Sequence, residues 1–212
     1  TILCYGDSNT FGADPEGTWQ DRFAYDVRWP GRLQHELGAG YRVIEEGMGG
    51  RTTVFDDPFE PARCGKSFLP LCLESHRPLD LVILMLGVND LKLRFAAPPC
   101  DIALGLASLG QLAASGPWGP GGKAPAVLLV SPAHIEERIL DGPFGEMFGQ
   151  DAPARCRALA PRMAQQAKEK GFFFFDAAAA AQVGRDGLHL TPESHGVLAR
   201  ALAQKVKEIL EA

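Results

Sequence analysis

The chain has 212 residues, a formal net charge of −5, and 46% hydrophobic against 22% charged residues. This is the composition of a globular protein able to bury one sizeable core, and the acidic balance excludes a nucleic-acid surface, which needs a basic face. No apolar run reaches about 18 residues, so no membrane span is expected, and no basic segment followed by an apolar stretch opens the chain.

Strand and helix signals alternate from the first residues. Ile2–Tyr5 is a short apolar strand ending at a glycine. The apolar spacing of Tyr25–Leu37 predicts a helix, stopped by Gly38 and Gly40. Tyr41–Glu46 reads as the second strand. Pro61–His76 reads as a helix broken at Pro70 and closed by Pro78. Leu79–Leu86 is almost wholly apolar, as a strand buried on both faces should be. Asp101–Ser115 is a helix opening on a good cap residue. Ala126–Ser131 is the fourth strand, Ala152–Lys170 a helix with a basic last turn, and Phe172–Phe175 a fifth, buried strand. Thr191–Glu211 closes the chain as a helix with Thr191 as N-cap and Pro192 in the first helical position. Ala13–Phe23 and Pro132–Gln150 are rich in Gly, Pro and charge and read as irregular, and Gly116–Pro125 as a connection.

Such alternation predicts a three-layer α/β/α fold, a five-stranded parallel sheet with helices on both faces and right-handed crossovers. The whole of residues 1–212 reads as one domain with no internal repeat. In these sheets the functional crevice opens at the carboxyl ends of the strands. Ser8, Gly50, Asn89 and Ser131 each fall just after a predicted strand, so they should gather at one edge, and the loop carrying Asp186 and His189 can reach it.

The residue types at that edge suit hydrolysis. Ser8 in Gly6-Asp7-Ser8-Asn9 can attack a carbonyl, His189 can take its proton, and Asp186, three residues earlier, can orient and charge-stabilise the imidazole. The string from Gly47 to Thr53 (GMGGRTT) and the string from Gly87 to Asp90 (GVND) can supply oxyanion donors: the Gly50 N–H, with Gly49 as the alternative, and the Asn89 amide. Asp90 reads as a cap for the following segment. Asp7, Phe11 and Trp19 are candidates for the substrate pocket, and Trp29 for core or interface.

The motifs GDS, GxND and DxxH in this order, together with the longer strings ILCYGDSNTFG, DVRWPGRL, VIEEGMGGRTT, LDLVILMLGVND and DGLHLT, resemble the SGNH (GDSL) hydrolase superfamily. The resemblance runs along the whole chain and lies closest to the bacterial arylesterase and acyltransferase branch typified by the mycobacterial acyltransferase. It implies a flavodoxin-like SGNH fold and a serine esterase acting on short-chain acyl or aryl esters. Its catalytic residues would be Ser8, Asp186 and His189, with Ser8, Gly50 and Asn89 forming the oxyanion hole. It further implies acyl transfer to alcohols and a homo-oligomer, with Ala13–Phe23 and Pro132–Gln150 as contacts. Asn9 stands where the GDSL name has Leu, a position that follows the nucleophile and has no catalytic role of its own. A carbohydrate or thioester deacylase on the same machinery is the alternative enzyme.

A flavodoxin-like small-molecule binding protein is the alternative outside catalysis, since fold does not fix function. Against it, the first strand–helix turn holds no dinucleotide glycine pattern, and neither a P-loop nor a GxSxG elbow occurs. The five cysteines are odd in number and include no CxxC pair, so neither a disulfide framework nor a zinc site is expected, and a reducing cytoplasm is the simplest location. His35, His76 and His134 have no metal-ligand spacing; no metal or cofactor is expected. His195 reads as a surface residue one turn into the last helix, and Arg28 and Arg51 as partners of Asp26, Asp56 or Asp57.

Overall fold

A computed structural model describes residues 1–17 and 21–211. Its five strands are β1 (Ile2–Gly6), β2 (Val43–Gly47), β3 (Leu81–Met85), β4 (Ala126–Ser131) and β5 (Phe173–Asp176). They form one parallel sheet in the order β2-β1-β3-β4-β5. The helices are α1 (Ser8–Phe11), α2 (Trp29–Leu37), α3 (Gly65–His76), α4 (Pro99–Ala114), α5 (Gly145–Phe148), α6 (Ala152–Arg157), α7 (Leu159–Lys170) and α8 (Pro192–Leu210).

Strand periodicity divides the interior into two cores. Leu3, Tyr5, Val82, Leu84, Val127 and Leu129 face α3, α4 and α7. Ile2, Cys4, Leu81, Ile83, Leu128 and Val130 face α2 and α8. Trp29, fully buried, is part of this second core. The register pairs Gly6 with Gly47 and Met85, and Met85 with Val130, so the carboxyl ends of four strands are level. The loops that leave them share one edge.

Several elements differ from the sequence reading. Helix α2 begins at Trp29 rather than Tyr25, with Pro30 in its first turn, where a missing N–H costs nothing. Helix α3 begins at Gly65 and runs through Pro70, forfeiting only the bond that residue 70 would donate to Lys66. The 152–170 segment is two helices, because the chain turns at Ala158. Strand β5 is only partly buried: it is the sheet edge, Phe174 and Phe175 pack half-buried against opposite cores, and Phe173 is 42% exposed. Thr191 does cap α8, accepting from Ser194 N at 3.1 Å.

Candidate active site

Strand β1 ends at Gly6, and Asp7 turns the chain into the single helical turn α1 by accepting from Asn9 N at 2.9 Å. This places Ser8 in the first helical position, above the sheet edge. The end of β2 packs against α1 so closely that a Cβ on Gly47 would lie 2.1 Å from Phe11 N. Only glycine fits that contact.

His189 reaches Ser8 from the other end of the chain. Its Nε2 lies 2.9 Å from Ser8 Oγ, and its Nδ1 lies 2.6 Å from Asp186 Oδ2. The other oxygen, Asp186 Oδ1, accepts the N–H groups of Leu188 and His189, each at 2.9 Å. Burial pushes the Asp186 carboxyl up, but hydrogen bonds and charge from His189 and the two backbone donors outweigh it, leaving the group below the ordinary carboxylate value. It is therefore ionised at neutral pH and fixes Nδ1 as the protonated nitrogen, leaving Nε2 to accept from Ser8. The ring of Phe144, from the loop after β4, meets His189 edge-on with centroids 5.7 Å apart.

Two further segments complete the edge. Gly50 has φ +75, the left-handed conformation that glycine adopts without penalty, and its N–H has no hydrogen-bond partner among the described residues. Asn89 opens a 3₁₀ turn beyond β3; its Nδ2 donates one hydrogen to Arg51 O at 3.1 Å, which orients the amide and leaves the second hydrogen free to bind a ligand. Ser8, Gly50, Asn89, Asp186 and His189 all border one cleft of about 1410 Å³. Phe11 lines it too, beneath the Arg22 guanidinium at 4.2 Å. Among the described residues no group of three or more His, Cys, Asp or Glu side chains could hold a metal ion.

Other sequence readings are corrected or fall elsewhere. Asp7 does not line the cleft: it is buried as the cap of α1, and desolvation raises its pKa to about 6. Trp19 lies outside the described residues. Ser131 is buried and donates to Asp176 at 2.8 Å, away from the cleft. His195 is not on the surface. It is fully buried, its Nδ1 accepts the Trp29 N–H that opens α2, and burial lowers its pKa to about 3. Arg28 pairs with Glu45 at 2.7 Å, and Asp57 with Arg94 at 2.9 Å. Arg51 lies 4.0 Å over the Tyr5 ring and donates to the carbonyls of Gly6 and Glu46 instead of to a carboxylate.

Asp90 is no simple cap. Its buried carboxylate accepts from Thr53 N at 3.0 and 3.2 Å and from the Thr53 hydroxyl. In the sheet, β1 separates β2 from β3. The Asn89–Arg51 and Asp90–Thr53 bonds thus join two loops that no strand pairing joins. No sequence pattern marks them.

The comparisons agree with this architecture. The profile of the GDSL-like lipase/acylhydrolase family matches residues 4–197. The M. smegmatis aryl esterase structure is 41% identical and superposes with a TM-score of 0.91, covering 99% of both chains. A carbohydrate acetylesterase from Sinorhizobium meliloti is 36% identical with a TM-score of 0.90, covering 98% of each. A carbohydrate acetylesterase family member from the same organism is 34% identical with a TM-score of 0.89, covering 100% of this chain and 99% of its own. No curated protein matches the chain in sequence comparison. The fold and these relatives define a carboxylic ester hydrolase with the SGNH-type α/β fold. The chain belongs to the GDSL-like lipase/acylhydrolase family.

Proposed function

We propose that the chain is a serine esterase that cleaves short-chain acyl or aryl esters through an acyl-enzyme. The observation that carries this reading is the hydrogen-bonded series Ser8–His189–Asp186, opening on a cleft bordered by Gly50 and Asn89. Ser8 Oγ attacks the ester carbonyl while His189 Nε2 takes its proton. Asp186 holds the imidazole and stabilises its positive charge. The carbonyl oxygen becomes an oxyanion, bound by the Ser8 and Gly50 N–H groups and the free hydrogen of Asn89 Nδ2. One such donor contributes roughly 3–4 kcal/mol to lowering the barrier. His189 then protonates the leaving alcohol, and the acyl group stays on Ser8. Water, activated by the same imidazole, releases the acid; an alcohol in its place gives a new ester.

Deacylation of carbohydrates is the second reading. It is favoured by the charged wall beside Gly50, where Glu60, Arg63 and Lys92 can hydrogen-bond sugar hydroxyls, and by the likeness to the S. meliloti acetylesterases. We further propose that the 212 residues are one domain, that copies assemble as a homo-oligomer, and that the enzyme works in the cytoplasm, where its five unpaired cysteines would stay reduced. The family's catalytic character argues against a binding-only role.

The test is initial rates on p-nitrophenyl acetate, butyrate and octanoate for wild type and Ser8→Ala, with an alcohol added in parallel. Turnover of the short esters should fall roughly 10⁴-fold or more in S8A. A transferred ester would establish acyl transfer. S8A with undiminished activity would refute the serine mechanism, and wild type active only on acetylated sugars would favour the second reading.

A further inference from the structure

We propose that Asn9 is a positioning residue that ties the loop bearing His189 to the helical turn bearing Ser8. The inference rests on the reading of Ser8 as nucleophile and His189 as base. Asn9 is 5% exposed, and both ends of its amide are used. Nδ2 donates to Leu188 O at 3.3 Å, and Oδ1 accepts from Leu190 N at 2.9 Å. These are the two residues that flank His189. A side-chain amide carries the same donor and acceptor as a peptide unit, so Asn9 serves the 188–190 segment as a neighbouring strand would.

Other backbone groups of that segment are held by further partners. His189 N donates to Asp186, His189 O accepts from Gly184 N at 2.7 Å, and Leu190 bridges Val183 in antiparallel fashion. The segment is thereby fixed from two sides. On the Ser8 side the link passes through one side chain, the immediate neighbour of the nucleophile. Among the described residues, the only other hydrogen bond between segments 6–12 and 183–191 is Ser8 Oγ to His189 Nε2. That bond is consumed when the proton moves. Asn9 keeps the distance between the two groups set while the reacting bond is broken and remade.

Leu at this position has the branching and heavy-atom count of Asn, with somewhat greater bulk, but neither donor nor acceptor. Asn9→Leu therefore removes the tether, leaves the space filled, and orphans a carbonyl and an N–H on residues that are themselves buried. The experiment is steady-state kinetics on p-nitrophenyl butyrate for wild type, N9L and Asn9→Ala. Active sites are counted by mass spectrometry after complete reaction with a fluorophosphonate, so that kcat refers to competent molecules only. The expected result is a kcat per titrated site about tenfold lower or more in both variants, with KM within about twofold, since misplacing reacting groups slows chemistry more than it weakens binding. A role confined to stability would reduce the number of titratable sites and leave kcat per site unchanged. That outcome in either variant overturns the proposal, as does a loss that appears in KM alone. If N9L does not fold, N9A decides by the same readouts. S8A assayed alongside separates the two levels: an active S8A refutes the nucleophile reading, whereas an inactive S8A with fully active Asn9 variants refutes only the tether.

Discussion

Burial raises the Asp90 pKa to about 6 from an ordinary 3.8, with Thr53's hydrogen bonds and the Lys92 charge recovering only part of the cost. The folded value lies above the unfolded one. The stability this group contributes is therefore complete below pH 3.8 and lost as pH rises through 6. A difference of roughly two units at 1.36 kcal/mol each makes the loss about 3 kcal/mol, of which about 2 kcal/mol falls between pH 4 and pH 8. Asp90→Asn abolishes that pH-dependent part. It also sets an amide N–H against the Thr53 N–H, a pH-independent penalty of about 1–3 kcal/mol. Relative to wild type, D90N should be clearly less stable at pH 4 and gain about 2 kcal/mol on it by pH 8. Asp7, also raised to about 6 and sensitive to Asp90, acts in the same direction. Asp186 and Asp57, held below the ordinary value, act oppositely, losing their stabilisation as pH falls; their contribution cancels in the comparison of the two proteins. Urea denaturation followed by tryptophan fluorescence at both pH values measures the difference directly. A gap between wild type and D90N that is the same at pH 4 and pH 8 would refute the reasoning, because Asp90 would then ionise equally in the folded and unfolded chains.

Two other expectations concern the site and its assembly. Asn89→Ala should lower kcat roughly 10²- to 10³-fold on p-nitrophenyl butyrate with little change in KM; an unchanged kcat would remove Asn89 from the oxyanion hole. Light scattering coupled to size exclusion should return a multiple of the protomer mass, and a monomer at micromolar concentration would remove the proposed oligomer.

The three central strands were legible because burial on both faces leaves a simple mark. Ile2–Gly6, Leu81–Met85 and Ala126–Ser131 are largely apolar runs, and their ends fall within two residues of the sequence reading. Strand β5 broke the rule. A run of phenylalanines looks like a core strand, yet at the sheet edge Phe174 and Phe175 are only half-buried, one against each core, and Phe173 is exposed. Helix starts at Trp29 and Gly65 were placed too early, because apolar spacing continues into turns and only backbone hydrogen bonding ends a helix. The convergence of Ser8, Gly50 and Asn89 was legible for a topological reason: in a parallel sheet, whatever follows a strand lies at the same edge.

What escaped the sequence is the set of polar side chains whose partners are backbone atoms far along the chain. Asn9 looks like a lost Leu until Leu188 and Leu190 are seen to need a donor and an acceptor. Arg51 looks like half of an ion pair, but its buried guanidinium is spent on the Gly6 and Glu46 carbonyls. His195 looks like a surface residue of α8, but it caps α2 in place of Arg28, whose own side chain is turned to Glu45. The partner in each case is a peptide group, which every residue type carries alike, so no pairing of side-chain types could announce it. The residues proposed to do chemistry are readable because their side chains must be particular. Those that hold them in register are invisible until the fold brings a distant peptide group within reach, and for that reason Asn9 and Asp90, rather than Ser8, are where this chain's own way of building the site is to be tested.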